Sequence, residues 1–165
     1  MGADKETWVE IEEFPGYAVS SWGRVMNTET DLIKKATVNQ AGIPNVLLMR
    51  DGEQFRRSVA VLVANHFLDK PDRIAFDTPI NLDGDRCNNR ADNLAWRPRW
   101  FAMRYHQQFQ RGSVHGFKGG IMLADEVFDD VRECAKAYGL LESELITCAQ
   151  NKTPIFPTWQ TVQMV

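Results

Sequence analysis

The chain has 165 residues, 44% of them hydrophobic and 25% charged, with a formal net charge of −3. That is room for one ordinary domain, or for two or three very small modules, and the composition excludes disorder throughout. No apolar run approaches the roughly 20 residues of a membrane-spanning helix, and the first residues lack the basic and apolar blocks of a signal peptide.

Gly2 follows Met1, but no polybasic stretch supports a myristoyl anchor. Cys87, Cys134 and Cys148 are odd in number and widely spaced, with no C-x-x-C pair. This argues against a disulfide framework and against a cysteine zinc site, so a reducing, cytoplasmic setting is expected.

Residues 8–25 read Trp8-Val-Glu-Ile11, then Phe14-Pro-Gly-Tyr17-Ala-Val19-Ser20-Ser-Trp22-Gly-Arg24-Val25. Pro15-Gly16 is a turn flanked by β-favouring aromatic residues, and a second turn at Trp22-Gly23 interrupts an extended piece begun at Tyr17. A small β-sheet with surface basic residues is predicted for this N-terminal stretch. Residues 57–68 are apolar and of helical length, with Val59, Leu62, Val63, His66 and Phe67 on one face. A lone His66 on such a face is ordinarily a packed residue. Residues 69–73, with Pro71, form a connecting loop.

Residues 79–96 are the densest in specific chemistry. A short apolar strand ends at Leu82, Asp83-Gly84 supplies a tight turn, and an Asn-rich loop follows. A helix is then predicted from Asp92-Asn93-Leu94-Ala95-Trp96, with Asp92 as its N-cap. Residues 97–111 continue or restart that helix after Pro98, with Trp100, Met103 and Gln107 packing inward while Arg97, Arg104 and Arg111 face out. Ser113, Gly116 and Gly119-Gly120 mark 112–120 as a linker. In 121–165, Phe128 to Tyr138 has helical spacing, Gly139 is a C′ stop, and Ser143 to Lys152 gives a second helix. Helix, glycine turn and helix predict a helix-turn-helix.

Charge is segregated. Arg86, Arg90, Arg97, Arg99, Arg104 and Arg111 stand against a lone Asp92, while Glu10, Glu12, Glu13 and the stretch from Asp125 to Glu144 are acidic. A polyanion partner is expected for the middle only.

Two motifs carry a resemblance. The pattern W-x-x-I-x-x-F-P-G-Y-x-V-S-x-x-G-R-V, from Trp8 on, resembles the NUMOD-type module upstream of HNH nucleases in phage and intron-encoded homing enzymes. Residues 79–96 resemble the HNH (ββα-metal) core, with family pattern N-H-x-D-G … N-N-R-x-x-N-L-x-W, and the last 45 residues resemble the small DNA-reading module that follows it. The implied fold is α+β: a small β-rich N-terminal module (1–56), an HNH-like ββα core (57–111), a linker (112–120) and a helix-turn-helix module (121–165).

The resemblance also implies site residues. Arg24, Lys34 and Lys35 become phosphate contacts, alongside Arg86, Arg90, Arg97, Arg99, Arg104 and Lys152. In the family a strand His is the general base, the residue before it binds a divalent metal, and an Asn orients the His. Here the metal position falls on Ile80, the base on Asn81, the orienting Asn on Asn93, and the second metal ligand on Ala102. Ala60 and Val61 replace a family His and Arg. Ile and Ala cannot ligate a metal, Asn81 cannot accept a proton near neutrality, and His106 alone does not hold Mg²⁺. Catalytic residues, a metal and other cofactors are therefore not expected; Mg²⁺ would be needed only if the nuclease were active.

Three functions remain open on these grounds. The chain is a DNA-binding protein of HNH origin without catalysis, a regulatory or accessory factor of phage type acting on double-stranded DNA. Alternatively it is a nicking nuclease rebuilt on His66 or His106, or a protein-binding adaptor using the acidic stretch from Asp125 to Glu144. Glu142 and Glu144 on the presumed reading helix would repel phosphates.

Overall fold

The computed structural model describes residues 5–112 and 119–165. Ser113 and Gly116 of the expected linker lie outside the described residues. The described residues mix small antiparallel sheets with four α-helices, and the chain forms two compact units, residues 1–99 and 100–165. Among the described residues no helix is long and apolar enough to cross a membrane.

In the first unit a four-stranded sheet runs β1 (Trp8–Glu10), β2 (Tyr17–Ser20), β3 (Val25–Asn27), β4 (Leu32–Ile33) in spatial order. All four residues of β2 are buried, as a central strand covered on both faces must be. A second sheet orders β5 (Thr37–Val38), β6 (Pro44–Arg50) and β7 (Glu53–Ser58). Asp51 and Gly52 close the β6–β7 hairpin at φ 52° and 80°, the left-handed pair that matches strand twist.

Helix α1 (Val59–Phe67) then buries Val59, Ala60, Leu62, Val63 and Ala64, while His66 and Phe67 are half-buried. Their cluster takes in Ile11, Phe14, Val19, Val25, Leu48 and Trp96. At roughly 1.5–3 kcal/mol per large buried apolar side chain, this cluster is the main force holding the sheets together.

The predicted helix at Asp92–Trp96 is not formed. Ala91–Asn93 make one 3-10 turn, and Leu94–Arg97 form strand β9, antiparallel to β8 (Thr78–Asn81) with Ile80 opposite Ala95 and Asn81 opposite Leu94. The reason is periodicity: Leu94 and Trp96 are buried while Ala95 and Arg97 are less so, an alternation of two. Asp92 caps no helix; its carboxylate accepts from Arg90 Nε at 3.3 Å.

Helix α2 (Arg99–Gln108) starts afresh after Pro98. Its packed face is Phe101, Ala102, Tyr105 and His106, so Trp100, Met103 and Gln107 are exposed rather than inward as expected.

The second unit adds strands that its sequence did not announce. β10 (Ile121–Leu123) lies between β11 (Glu126–Phe128) and β14 (Gln163–Met164), and β12 (Pro154–Ile155) pairs β13 (Gln160–Thr161). Phe128 therefore ends a strand, and α3 (Val131–Tyr138) begins only after Asp130, whose carboxylate accepts the Arg132 N–H at 2.7 Å. Gly139 ends α3 at φ 63° as expected. Helix α4 (Glu142–Asn151) follows after Leu140 and Leu141. Ile121, Leu123, Cys134, Leu140, Leu145, Ile155 and Val162 form the core of this unit.

Candidate nucleic-acid interface

The β8–β9 hairpin positions the residues singled out from the sequence. Ile80 is wholly buried and Asn81 is 3% exposed. The turn after them closes with the Gly84 N–H donating to the Asn81 carbonyl at 2.9 Å. Asp83 is the hub of the loop beyond. One carboxylate oxygen accepts from the Asp85 N–H and from Asn93 Nδ2, both at 2.9 Å, and the other accepts from Asn88 Nδ2 at 2.7 Å. Burial pushes the Asp83 carboxyl up, and the donors from Asn93, Asn88 and Asp85 outweigh it, holding the group below its ordinary range.

Asn93, at the family's orienting position, spends its amide inside this loop. Its Nδ2 also donates to the Asn88 carbonyl at 2.8 Å, and its Oδ1 accepts the Asp83 N–H at 3.1 Å. Asn81 spends its amide likewise, Nδ2 donating to the Asn88 carbonyl at 2.8 Å and to Asn89 Oδ1 at 2.9 Å. Carbonyl Asn88 can only accept, which fixes the amide orientation. Asn81 and Asn93 thus converge on one backbone oxygen, and the loop is closed from within.

A β-turn from the N-terminal sheet backs this loop. The Ala91 N–H donates to the Ser21 carbonyl at 2.8 Å. Gly23, at φ 84°, lies so close that a Cβ there would sit 2.8 Å from the Asn89 carbonyl oxygen. The Gly of the Gly23-Arg24 motif is therefore needed by a neighbour some 66 residues along the chain.

Neither residue at the family's two metal positions carries a ligating atom. Ile80 has no ligating atom and is sealed in the core, Ala102 is a buried methyl on α2, and the Asn81 amide nitrogen faces two acceptors. Among the described residues no three His, Cys, Asp or Glu side chains gather as a metal cage would require. His106, in the second unit, is buried edge-on against Tyr105 at 5.9 Å. His66 Nδ1–H donates to the Leu62 carbonyl one turn back at 2.7 Å.

The predicted cations differ in their commitments. Arg24 grips the Glu6 carboxylate with two nitrogens, Nε at 2.8 Å, and lies over the Trp8 ring. The Arg24 bond holds Glu6 below the carboxylate range against a smaller effect of burial. Lys34 sits 5.9 Å over the Tyr17 ring, and Lys35 is exposed. Burial lowers the Arg86 guanidinium from its ordinary value. Arg90 lies 5.1 Å over the Trp22 ring, and Arg97 donates to the Trp96 carbonyl at 2.8 Å. Arg99, Arg104 and Lys152 are exposed. Arg50 and Arg57, which the sequence reading passed over, both lie on the Phe14 and Phe55 rings, with Arg57 bonded to Glu13 at 2.7 Å.

The expected clash of Glu142 with phosphates changes in the second unit. Glu142 is 2% exposed, and its carboxylate accepts from Arg132 Nε at 2.6 Å. The same Arg132 donates to the Gln108 carbonyl at 3.0 Å and the Arg111 carbonyl at 3.2 Å. Glu142 is thus an internal counter-ion, and Glu144 alone of the pair is exposed. Other carboxylates of the acidic stretch also have partners in the unit: Glu133 with Lys136 at 3.1 Å and Glu126 with the Tyr138 hydroxyl at 3.1 Å.

Comparison with known proteins bears out the resemblance to HNH homing endonucleases. The chain is 35% identical over 99 residues to an uncharacterized HNH endonuclease, L247, of Acanthamoeba polyphaga mimivirus. The match takes in 58% of this chain and 25% of that protein, so the chain spans about a quarter of the relative's length. The fold is similar to that of the HNH homing endonuclease I-HmuI, solved in a study of its DNA binding and cleavage, with a TM-score of 0.53 at 18% identity over 96% of this chain and 98% of that one. No family model matches the chain.

Proposed function

We propose that this chain binds double-stranded DNA on a scaffold of HNH homing-endonuclease origin and does not cut it, acting as a regulatory or accessory factor of phage type in a bacterial cytoplasm. In this reading the β module over 1–56, the ββα core over 57–111 and a helix-turn-helix over 121–165 follow the order of the homing enzymes, joined by residues 112–120. Duplex contact runs through Arg24, Lys34, Lys35, Arg86, Arg90, Arg97, Arg99, Arg104 and Lys152, and no metal cofactor takes part.

The observation that carries the reading is the hydrogen bonding of Asn81. At the position of the family's base stands an amide whose two hydrogens both go to loop acceptors, next to a wholly buried Ile80. Hydrolysis of a phosphodiester at neutral pH needs a base to make the nucleophile and a charge to stabilise the leaving oxygen. That pair of residues supplies neither. What the hairpin retains is rigidity, since Asp83, Asn88, Asn89 and Asn93 interlock, and a rigid frame is what holds arginines in register with phosphates.

The test is a binding titration with duplex DNA at several salt concentrations. Affinity falls steeply with salt, and replacing Arg97, Arg99 and Arg104 together by Ala lowers the salt slope by up to about three. Binding that is absent, or indifferent to salt, overturns the reading.

A further inference from the structure

In the second unit, helix α2 and the loop of hairpin β12–β13 (residues 156–159) bring three rings together. Trp100 stacks on Phe156 with centroids 5.7 Å apart and 28° between planes. Trp159 meets the same Phe156 ring edge-on, at 6.0 Å and 88°. Phe101, wholly buried, packs at 5.9 Å from Phe156 and anchors the group. The two indoles are nevertheless 52% and 59% exposed. Trp159 also occupies left-handed backbone at φ 59°, a region that bulky side chains seldom adopt, with its N–H held by the Ile155 carbonyl at 2.7 Å.

The segments that carry these rings hold charge of one sign. Arg104 places its guanidinium 5.7 Å over the Trp100 ring. Residues 99–111 and 152–165 carry Arg99, Arg104, Arg111 and Lys152 and contain no Asp or Glu, in a protein of net charge −3. An exposed apolar patch marks an interaction site. When the patch is planar and aromatic, with a guanidinium on it and no carboxylate in the segments that carry it, its complement is an anion that carries π-faces.

We propose that Trp100, Phe156, Trp159 and Arg104 form a binding site for unpaired nucleobases of a nucleic-acid strand. One base stacks on Trp159 and the next on Trp100, where it takes the place of the Arg104 guanidinium, which moves onto an adjoining phosphate. The geometry selects unpaired bases over a duplex. Phe156 is nearly parallel to Trp100 and nearly perpendicular to Trp159, so the two indole planes are steeply inclined to each other. Stacked base pairs are parallel and cannot meet both faces at once, whereas a single strand can splay successive bases onto them. The inference rests on reading the chain as a nucleic-acid binder and adds the form of nucleic acid that this unit takes.

The experiment is fluorescence anisotropy of the full chain with labelled oligo(dT) of roughly 20 nucleotides, longer than one site of this kind needs, and in parallel with duplex DNA. Trp159→Ala weakens oligo(dT) binding about tenfold, the scale of one lost stacked base, and leaves duplex affinity unchanged. Trp159→Phe, which keeps a ring, retains most of it, and circular dichroism of both variants matches the parent. Trp100→Ala also weakens oligo(dT). Oligo(dT) affinity unchanged in Trp159→Ala and Trp100→Ala overturns the proposal. So does a parent that ignores oligo(dT) but self-associates through these indoles, which would assign the surface to a second copy of the chain. Loss of duplex binding with oligo(dT) binding retained overturns the proposed function and supports this site; the opposite pattern overturns the site alone.

Discussion

Replacing Gly23 by Ala tests how the N-terminal sheet supports the Asn-rich loop. A methyl there would lie 2.8 Å from the Asn89 carbonyl oxygen, 3.0 Å from its carbon and 3.1 Å from the Asn89 Cβ. None of these atoms is the tip of a flexible side chain. Asn89 is buried, and its side chain accepts from Asn81. The turn is held too, by Gly23 N–H to the Ser20 carbonyl at 3.0 Å and Ala91 N–H to the Ser21 carbonyl at 2.8 Å. Left-handed backbone costs an alanine about 1–2 kcal/mol, and overpacking adds about 1–3, so Gly23→Ala should destabilise by about 2–5 kcal/mol. Gly16→Ala is the control, since Gly16 has φ 90° but nothing within 4 Å of its would-be Cβ. That variant should lose only the backbone share, about 1–2 kcal/mol. Urea unfolding measures both losses, and exchange of the Ala91 amide reports the contact locally. Equal losses in the two variants, within about 0.5 kcal/mol, with Ala91 protection unchanged, would refute the contact.

Two further predictions concern charge. Asp83 titrates below its ordinary value of 3.8 in the fold, so its stabilisation is complete above that pH and is lost as pH falls through the lower folded value. Urea midpoints measured from pH 5 downward should therefore drop less steeply in Asp83→Asn than in the parent; equal slopes would contradict the role of Asp83 as the charged hub. Arg132→Ala strands the buried Glu142 carboxylate and frees two carbonyls, and should cost about 3–5 kcal/mol in denaturant unfolding of the second unit. A loss under about 1 kcal/mol, the scale of a surface ion pair, would show that Glu142 finds other compensation.

Local chemistry was legible in the sequence wherever it acts over a few residues. Pro15-Gly16 and Asp83-Gly84 marked turns, the spacing of Val59, Leu62 and Val63 marked α1, and Gly139 marked the end of α3. What depends on distant partners was not. Leu94 and Trp96 read as helix because their partner strand ends 13 residues earlier, at Asn81, and four residues are too few to fix a period. The buried face of α2 is set by Phe101 and Tyr105, which apolar spacing alone did not distinguish from Trp100 and Met103. The strands of the second unit are two or three residues long, below what alternation can register. At the site, the identities of Ile80, Asn81, Asn93 and Ala102 were read directly. The closed amide network, the close approach of Gly23 to Asn89 and the internal use of Glu142 required the folded loop.

In the proposed function this hairpin holds DNA without hydrolysing it. One gel tests it: supercoiled plasmid incubated with the full chain and Mg²⁺ or Mn²⁺, one half loaded native and the other after the protein is stripped away. The native lanes should show retarded plasmid that is released as salt rises, and the stripped lanes should show plasmid still supercoiled. Nicked circles in the stripped lanes that vanish with His106→Ala would contradict the claim and return the chain to the working nucleases.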